Sequence, residues 1–458
     1  MSGLQLRVVA VLSLLCTLVV LGSGLGGRGG IDPASALVAQ RKPVTIDAPG
    51  LGASDTSSDT TDEGSSGDET PADETQTLDD GSADDAVEST PADASGDGEG
   101  GDGGSGPSGD SGAGGGDEPT PTKIKHVFLI VLAGHGFDAT FGGGSLAAYL
   151  NSTLRPKGTL LTGYRSLGRA GLPDALAMIG GQPPNADTRA DCPVYREIPP
   201  TAAPSKAGEV TADGCVFPNT VTTIGDQLSA SRRSWKAYVE DLDRGPGPAP
   251  GVAPKTTCRH PGSNAADDTL RARPGDAYAT RHNPFVYYHS LLDLGDCDAN
   301  DGALGALEAD LASASATPNL VYIAPNLCND GTESPCVDGS PGGLAAADAF
   351  LASWVPKILA SPAYRADGLL VVAFAGDVTP PAAGAPAPDP AAPVTNGALL
   401  VSRYAQAGGT NGTAYDPYSL LRSLEDLFAL RPLARAATAS SFAPTVLAGA
   451  YVTPPSDG

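Results

Sequence analysis

The sequence predicts an α/β fold with a mostly parallel central sheet and helices on both faces, built as a single large domain with loop insertions. Two observations favour it: short apolar runs typical of buried strands, and helical patterns that lie between these runs. Strands that alternate with helices form parallel sheets, because the chain crosses a face of the sheet between neighbouring strands. The predicted strands are Val127–Leu132, Asn319–Ala324, Leu369–Phe374 and Gly397–Val401.

The helices follow from apolar residues at helical spacing. Tyr418–Leu430 has the clearest pattern, because its leucines and Phe428 form a single stripe along one side. Two Pro- and Gly-rich stretches, Gly245–Pro254 and Pro380–Pro393, are predicted to be surface loops or insertions. The helical segments are Pro173–Ile179, Thr222–Ala230, Leu344–Leu359 and Tyr418–Leu430.

Residues 1–30 predict export. Arg7 precedes an apolar stretch from Val8 to Leu21 that ends in small residues, a pattern typical of a secretory signal peptide. Extending the stretch through Leu25 brings it close to the length of a spanning helix, so a retained signal anchor is the alternative. We therefore expect the protein to be secreted, or anchored on the extracytoplasmic face of the membrane.

Residues 31–122 form a separate acidic segment rich in Gly, Ser, Thr and Pro. From Pro43 to Thr122 there are 21 Asp and Glu residues and no Lys or Arg. Such a composition cannot bury enough apolar surface to fold, so we expect a disordered spacer, with cation or cell-wall binding as the alternative. This segment carries most of the net charge of −25. The remainder, residues 123–458, has no basic patch that would predict nucleic-acid binding.

The part predicted to fold holds six cysteines, and an even number in an exported chain indicates three disulfides. The sequence alone leaves many pairings open, and none of the spacings is typical of a zinc site. We expect each cysteine to pair with its neighbour in sequence. The expected pairs are Cys192 with Cys215, Cys258 with Cys297, and Cys328 with Cys336.

Several motifs follow one another along this part of the chain: IKHVFLIVLAGHGFDATFG, KGTLLTGY, LPDALAMIGG, TIGDQLSASRRSWKAYVEDL, RHNPFVYYHS, APNLCNDGTESPC and YDPYSLLRSLEDLFAL. In this order, Lys123–Pro432 resembles the bacterial phosphoesterase family of secreted acid phosphatases and phospholipase C enzymes, within the alkaline phosphatase superfamily. The resemblance implies an alkaline phosphatase-like fold. It also implies hydrolysis of phosphate esters by a hydroxyl nucleophile acting with divalent metal ions.

The resemblance further implies which residues should perform that chemistry. The family carries a metal- and phosphate-binding pair after the first strand, a nucleophilic hydroxyl at a helix start, an acidic pair after a later strand, and a final histidine before the last helix. In this chain these positions are, in the same order, Ala133 and Gly134, Gly171, Ala375 and Gly376, and Pro417. We call these six residues the replaced positions.

Joint replacement predicts a pseudoenzyme, a scaffold without catalysis that is retained for binding. A phosphorylated ligand, an envelope component or a protein are the candidate partners, and no cofactor is expected. His135 and Arg169 are the candidate anion-binding residues, because they flank the replaced positions. Asp174 is interpreted as a helix-start carboxylate and His282 as a structural hydrogen-bonding residue.

Two alternatives stay open at the level of sequence. One is an active hydrolase that binds divalent metal ions at a non-standard site with Asp377, the weak metal candidate, and His135. The other is a purely structural cell-surface protein. The sequence also makes a geometric prediction, that the replaced positions meet at the carboxyl edge of the sheet; it concerns Ala133, Gly171, Ala375 and Pro417.

Overall fold

The computed structural model describes residues 122–246, 255–381 and 384–452. All of them belong to one compact unit. The predicted export segment and, apart from Thr122, the predicted acidic linker lie outside the described residues, as does most of the predicted loop Gly245–Pro254.

A central sheet organises this unit. In the described ranges the sheet has eight strands, and the four apolar runs predicted from the sequence are all among them, within about one residue at each end. The strands are β1 (His126–Ala133), β2 (Thr159–Leu161), β3 (Trp235–Val239), β4 (Asp301–Ala303), β5 (Leu320–Ala324), β6 (Gly368–Ala375), β7 (Ala398–Val401) and β8 (Gly409–Asn411).

The strands lie in the order β4-β3-β5-β1-β6-β7-β2-β8. Every neighbouring pair is parallel except the two that involve β7, which runs antiparallel to β6 and to β2. The prediction of a mostly parallel sheet is therefore confirmed. The longest strands, β1 and β6, pair from His126 opposite Gly368 to Ala133 opposite Ala375, so their carboxyl ends lie side by side.

The predicted helices are also confirmed, with ends that differ by one or two residues. Shorter helical turns that the sequence pattern did not reveal occupy the connections. The α-helices in the described ranges are α1 (Phe137–Phe141), α2 (Leu172–Gly180), α3 (Ile224–Ala230), α4 (His289–Leu292), α5 (Asp296–Asn300), α6 (Leu307–Asp310), α7 (Gly343–Ala360), α8 (Pro362–Asp367), α9 (Pro417–Phe428) and α10 (Ala443–Val446).

Both faces of the sheet are covered by helices. Along β1, Val127, Leu129 and Val131 point to one face, where buried side chains of α2, α3 and α9 pack against them. Phe128 and Ile130 point to the other face, where α7 supplies the packing. By length and composition α7 is apolar enough to cross a membrane, but its apolar side chains pack into this core, as in a core helix of a soluble fold.

Three disulfides join loops around the sheet, and they confirm the predicted pairing. Cys192 is bonded to Cys215, Cys258 to Cys297, and Cys328 to Cys336. Three disulfides in one domain indicate an oxidising, extracytoplasmic location, because thiols stay reduced in most cytosolic proteins.

Candidate functional site

A cavity of about 150 Å³ opens at the carboxyl edge of the sheet, between the ends of β1 and β6 and the start of α2. Its lining includes three of the replaced positions, Ala133, Gly171 and Ala375. Gly134 and Gly376 do not line the cavity. Pro417 does not line it either; it is the first residue of α9, directly after the N-cap Asp416. The predicted convergence therefore holds for three of the four residues named for it.

The ends of β1 and β6 are closed against each other by backbone contacts at Gly134. Its N–H donates to the Ala375 carbonyl at 2.9 Å, and its carbonyl accepts from the Val378 N–H at 2.8 Å. A Cβ at this position would lie 2.1 Å from the Gly376 carbonyl oxygen and 2.6 Å from Asn396 Nδ2. No side chain fits there unless the backbone moves.

Gly376 is confined in the same way. Its φ is +62°, a left-handed conformation that glycine adopts far more readily than other residues. A Cβ would lie 2.5 Å from the Arg169 carbonyl oxygen and 2.8 Å from the carbonyl carbon of Ala170. Asn396 Nδ2 donates to the Gly376 carbonyl at 2.7 Å and fixes it in place. We call the contacts around Gly134 and Gly376 the closed side of the site.

Gly171 is different, because a Cβ there would meet only Ala375, at 3.9 Å. This distance is ordinary van der Waals contact, so a small side chain fits at the start of α2. Together with Ala133 and Ala375, Gly171 forms what we call the open side of the site.

Asp174 joins the two sides. Its carboxylate is buried and accepts the N–H of Leu167 at 2.7 Å and the N–H of Gly376 at 2.8 Å. Burial raises the pKa of Asp174 to about 8, although both N–H donors favour the charged form. The predicted helix-start carboxylate is therefore a clamp that ties the first turn of α2 to the end of β6.

Two further polar side chains on the cavity wall come from loops. Asp191 accepts the N–H of Leu172 at 3.0 Å, and burial raises its pKa, against the effect of the nearby Arg281 guanidinium. Arg281 donates to the Leu270 carbonyl at 3.2 Å. Among the residues that the structure describes, Arg281 has no carboxylate oxygen within 4.0 Å.

His282 and Asp330 also line the cavity, and they are 3.2 Å apart, measured from Nε2 to Oδ2. His282 Nδ1 lies 3.2 Å from the Pro325 carbonyl, which only accepts, so Nδ1 carries the ring proton. Burial lowers the pKa of His282 to about 3 and raises that of Asp330 to about 7. Thr332 donates its N–H and hydroxyl to Asp330, at 2.7 and 2.6 Å. Burial therefore favours the neutral form of both groups.

The other sequence-based candidates are Arg169, Asp377 and His135. Arg169 lines the cavity, and its Nη1 is 2.7 Å from Asp377 Oδ2. Asp377 also accepts the Thr379 N–H at 2.9 Å. His135 does not line the cavity; its Nε2 is buried and has no hydrogen-bond partner among the described residues. Burial lowers the pKa of His135, with Asp377 opposing this effect.

These donors do not fit the metal ions that the resemblance implies. A two-metal site needs several carboxylate or imidazole ligands that converge and are free to coordinate. Asp174, Asp191 and Asp330 each bind backbone N–H groups instead. In the described ranges, the one group of three or more candidate ligands within 4.8 Å of one another is Cys258, Cys297 and Asp301, and its cysteines are disulfide-bonded.

Sequence reasoning missed part of the cavity wall. Asp191 directly follows a short 3₁₀ helix and Arg281 lies within another, where no periodic pattern marks them, and only the tertiary fold brings them to the sheet edge. Asp330 had a usable signal, because it follows β5 closely and the carboxyl ends of parallel strands meet at one edge. Tyr322 lies on β5 itself, and the apolar pattern of that strand does not reveal that its side chain lines the cavity.

A model of the Phosphoesterase family matches residues 147–431, more than half of the chain. No curated protein matches this chain. Structurally similar proteins include an alkaline phosphatase superfamily protein from Vibrio parahaemolyticus, with 14% identity over 68% of this chain and 69% of that one and a TM-score of 0.38. A putative sulfatase from Bacteroides thetaiotaomicron is 13% identical over 72% of this chain and 76% of the sulfatase, with a TM-score of 0.39. The lipoteichoic acid synthase LtaP from Listeria monocytogenes is 10% identical over 68% of this chain and 75% of the synthase, with a TM-score of 0.37.

Proposed function

This chain belongs to the Phosphoesterase family, and from that premise we propose that it is a catalytically inactive member that acts as an extracytoplasmic binding protein. Its ligand would enter the cavity at the carboxyl edge of the sheet. The candidate partners remain a phosphorylated ligand, an envelope component or a protein. Secretion and membrane anchoring are both compatible with this proposal.

The closed side of the site carries the proposal. At Gly134 and Gly376 the side chains of the family are absent, and the backbone also occupies the space that a Cβ would need. Because hydrogen bonds from Asp174 and Asn396 hold this arrangement, the loss extends to the backbone scaffold. Replacement of side chains alone therefore could not rebuild a ligand pair there.

The geometry disfavours the alternative of an active hydrolase with a non-standard metal site. That alternative needs Asp377 and His135 to coordinate metal together. Asp377 is paired with Arg169 at 2.7 Å, and His135 lies outside the cavity wall. A metal ion there would have to displace the half-buried Arg169 guanidinium from the buried Asp377 carboxylate and would leave Arg169 without its ion-pair partner.

Hydrolysis assays on the purified full chain test the proposal. We expect no turnover of p-nitrophenyl phosphate or bis-p-nitrophenyl phosphate with Mg²⁺, Mn²⁺, Ca²⁺ or Zn²⁺, and less than stoichiometric metal in the isolated protein. Turnover that a chelator abolishes would overturn the proposal. If that turnover is also lost in Asp377→Asn, the non-standard metal site is the correct explanation.

A thermal-shift screen separates binding from a purely structural role at the cell surface. If the protein is a binding protein, at least one small anionic or polar compound should raise the melting temperature of the wild type. A ligand that binds only the folded state stabilises that state. The same compound should have no effect on Gly171→Leu, whose side chain would enter the cavity. Equal shifts for both proteins would show that the cavity is not the binding site.

A further inference from the structure

The cavity wall is mainly apolar. Beside the three small replaced positions of the open side, aliphatic side chains and an aromatic ring form most of the surface, and a cavity of about 150 Å³ can hold a molecule about the size of benzene. Such a wall favours a ligand with a short hydrocarbon body. The apolar lining residues outside the replaced positions are Val131, Leu132, Ala175, Tyr322, Ala324 and Val378.

One polar group on this wall has no partner. The Tyr322 side chain is 1% exposed and its hydroxyl makes no hydrogen bond to any described residue. A buried hydroxyl without a partner is destabilising, so an acceptor atom on a ligand would relieve the cost of burying it. Tyr322, on β5, and Arg281 both line the cavity, so each can offer a hydrogen-bond donor to a ligand there.

The charges on the wall limit how negative that ligand can be. Arg281 has no carboxylate oxygen within 4.0 Å among the described residues, although its charge opposes the rise in the pKa of Asp191 and Asp330, whereas Arg169 is paired with Asp377 at 2.7 Å. Asp191 and Asp330 also line the cavity, and burial raises the pKa of both, so each becomes a hydrogen-bond donor when protonated. A phosphate dianion would face these two acidic groups with the single Arg281 guanidinium, whereas one negative charge matches that guanidinium once the two acids are protonated.

We propose that the cavity binds a small organic monocarboxylate with a short hydrocarbon body, whose carboxylate accepts hydrogen bonds from Arg281 and from the Tyr322 hydroxyl. This inference rests on the proposed function, because it assigns a ligand class to the same cavity. It replaces the phosphorylated ligand that the resemblance suggests with one of lower charge.

Isothermal titration of the purified full chain tests the ligand class with four probes. These are isobutyrate, its neutral isostere isobutyramide, methyl phosphate and inorganic phosphate. We expect isobutyrate to bind at least about tenfold more tightly than each of the others, since a hydrogen bond to a charged group is worth roughly 1.4 kcal/mol or more. Tighter binding of either phosphate compound, equal binding of the amide, or no binding of isobutyrate overturns the inference.

Two isosteric variants test the assigned contacts. Tyr322→Phe removes only the unpartnered hydroxyl and should weaken isobutyrate binding about tenfold. Tyr287→Phe is the matched control, because Tyr287 is also fully buried with an unpartnered hydroxyl but does not line the cavity, so it should leave the affinity unchanged. Arg281→Gln should reduce the preference for isobutyrate over isobutyramide to near unity. Equal affinities of Tyr322→Phe and wild type would overturn the assignment.

The two proposals fail in different ways. Metal-dependent phosphatase activity contradicts the proposed function, whatever the titrations show. A protein that hydrolyses nothing but binds methyl phosphate more tightly than isobutyrate leaves the proposed function standing and refutes the monocarboxylate.

Discussion

The closed and open sides of the site lie at the same sheet edge, yet they differ in how they depart from the family. On the closed side, Gly134 and Gly376 have their Cβ space filled by backbone oxygen and by Asn396. On the open side, a Cβ at Gly171 would approach Ala375 no closer than 3.9 Å. One side is filled by backbone packing, whereas the other consists of small side chains that surround a cavity.

The difference teaches that small residues at one sheet edge have two structural consequences. Small side chains around Gly171 leave space, which a ligand can use. Backbone packing at Gly134 and Gly376 leaves no such space, and it stabilises the fold, because buried N–H and carbonyl groups find partners there. The closed side therefore holds the strand ends together, and the open side is left to bind.

The largest expected effect comes from adding a methyl group to the closed side. Gly134→Ala and Gly376→Ala should each lower the free energy of unfolding by about 3 to 5 kcal/mol, because the new Cβ meets backbone atoms and Gly376 also has a left-handed φ. Urea denaturation measures this. Gly143→Ala is the matched control, since a Cβ there meets nothing within 4 Å. Losses no larger than that of the control would mean that the closed side is not tightly packed.

The next effect concerns the clamp between the two sides. The pKa of Asp174 is raised to about 8 by burial, so the folded state holds a proton that the unfolded state releases near pH 4. The resulting stability is full at low pH and is lost as the pH rises toward 8, by about 3 kcal/mol between pH 5 and 7. Asp174→Asn lacks this titration, so its stability should fall less steeply over that range. Parallel stability curves for the two proteins would contradict the assigned pKa.

A smaller loss is expected in the loop whose Asp330 carbonyl accepts the Ala133 N–H at 3.0 Å. The disulfide Cys328–Cys336 encloses the loop that carries Asp330 and Thr332. Its removal in Cys328→Ser/Cys336→Ser should lower the free energy of unfolding by about 2 kcal/mol, because the unfolded chain gains entropy once the cross-link is gone. The loss is modest because the enclosed loop is short. Hydrogen exchange at the Thr332 amide, which donates to Asp330, should accelerate in the variant. Unchanged exchange would indicate that the loop is held without the disulfide.

The sequence predicted the two strands that carry the site, but not how their carboxyl ends pack against each other. The apolar runs of β1 and β6 identified the two central strands, and their small C-terminal residues marked the replaced positions. The closure at Gly134 could not be predicted, because it depends on backbone hydrogen bonds between Gly134, Ala375 and Val378. Arg281 was missed for a related reason, since a three-residue 3₁₀ helix is too short to show a periodicity that reveals where the side chain lies.

The smallest expected effect distinguishes the two sides most directly. Gly171 is the N-cap residue of α2, and serine is at least as favourable as glycine at an N-cap. Gly171→Ser should therefore change the free energy of unfolding by less than about 0.5 kcal/mol. It restores a hydroxyl at the position of the nucleophile, and so does the double variant Ala133→Glu/Gly171→Ser, which also restores a carboxylate.

If the proposed function is correct, neither variant hydrolyses p-nitrophenyl phosphate with any divalent metal. The substitutions add side chains to the open side, but the packing at Gly134 and Gly376 still excludes metal-binding side chains there. Crystal structures of both variants would check that the backbone around the introduced hydroxyl is the same as in the wild type. Metal-dependent turnover by either variant would mean that the truncated side chains alone account for the loss of activity, and that the closed side never prevented metal binding.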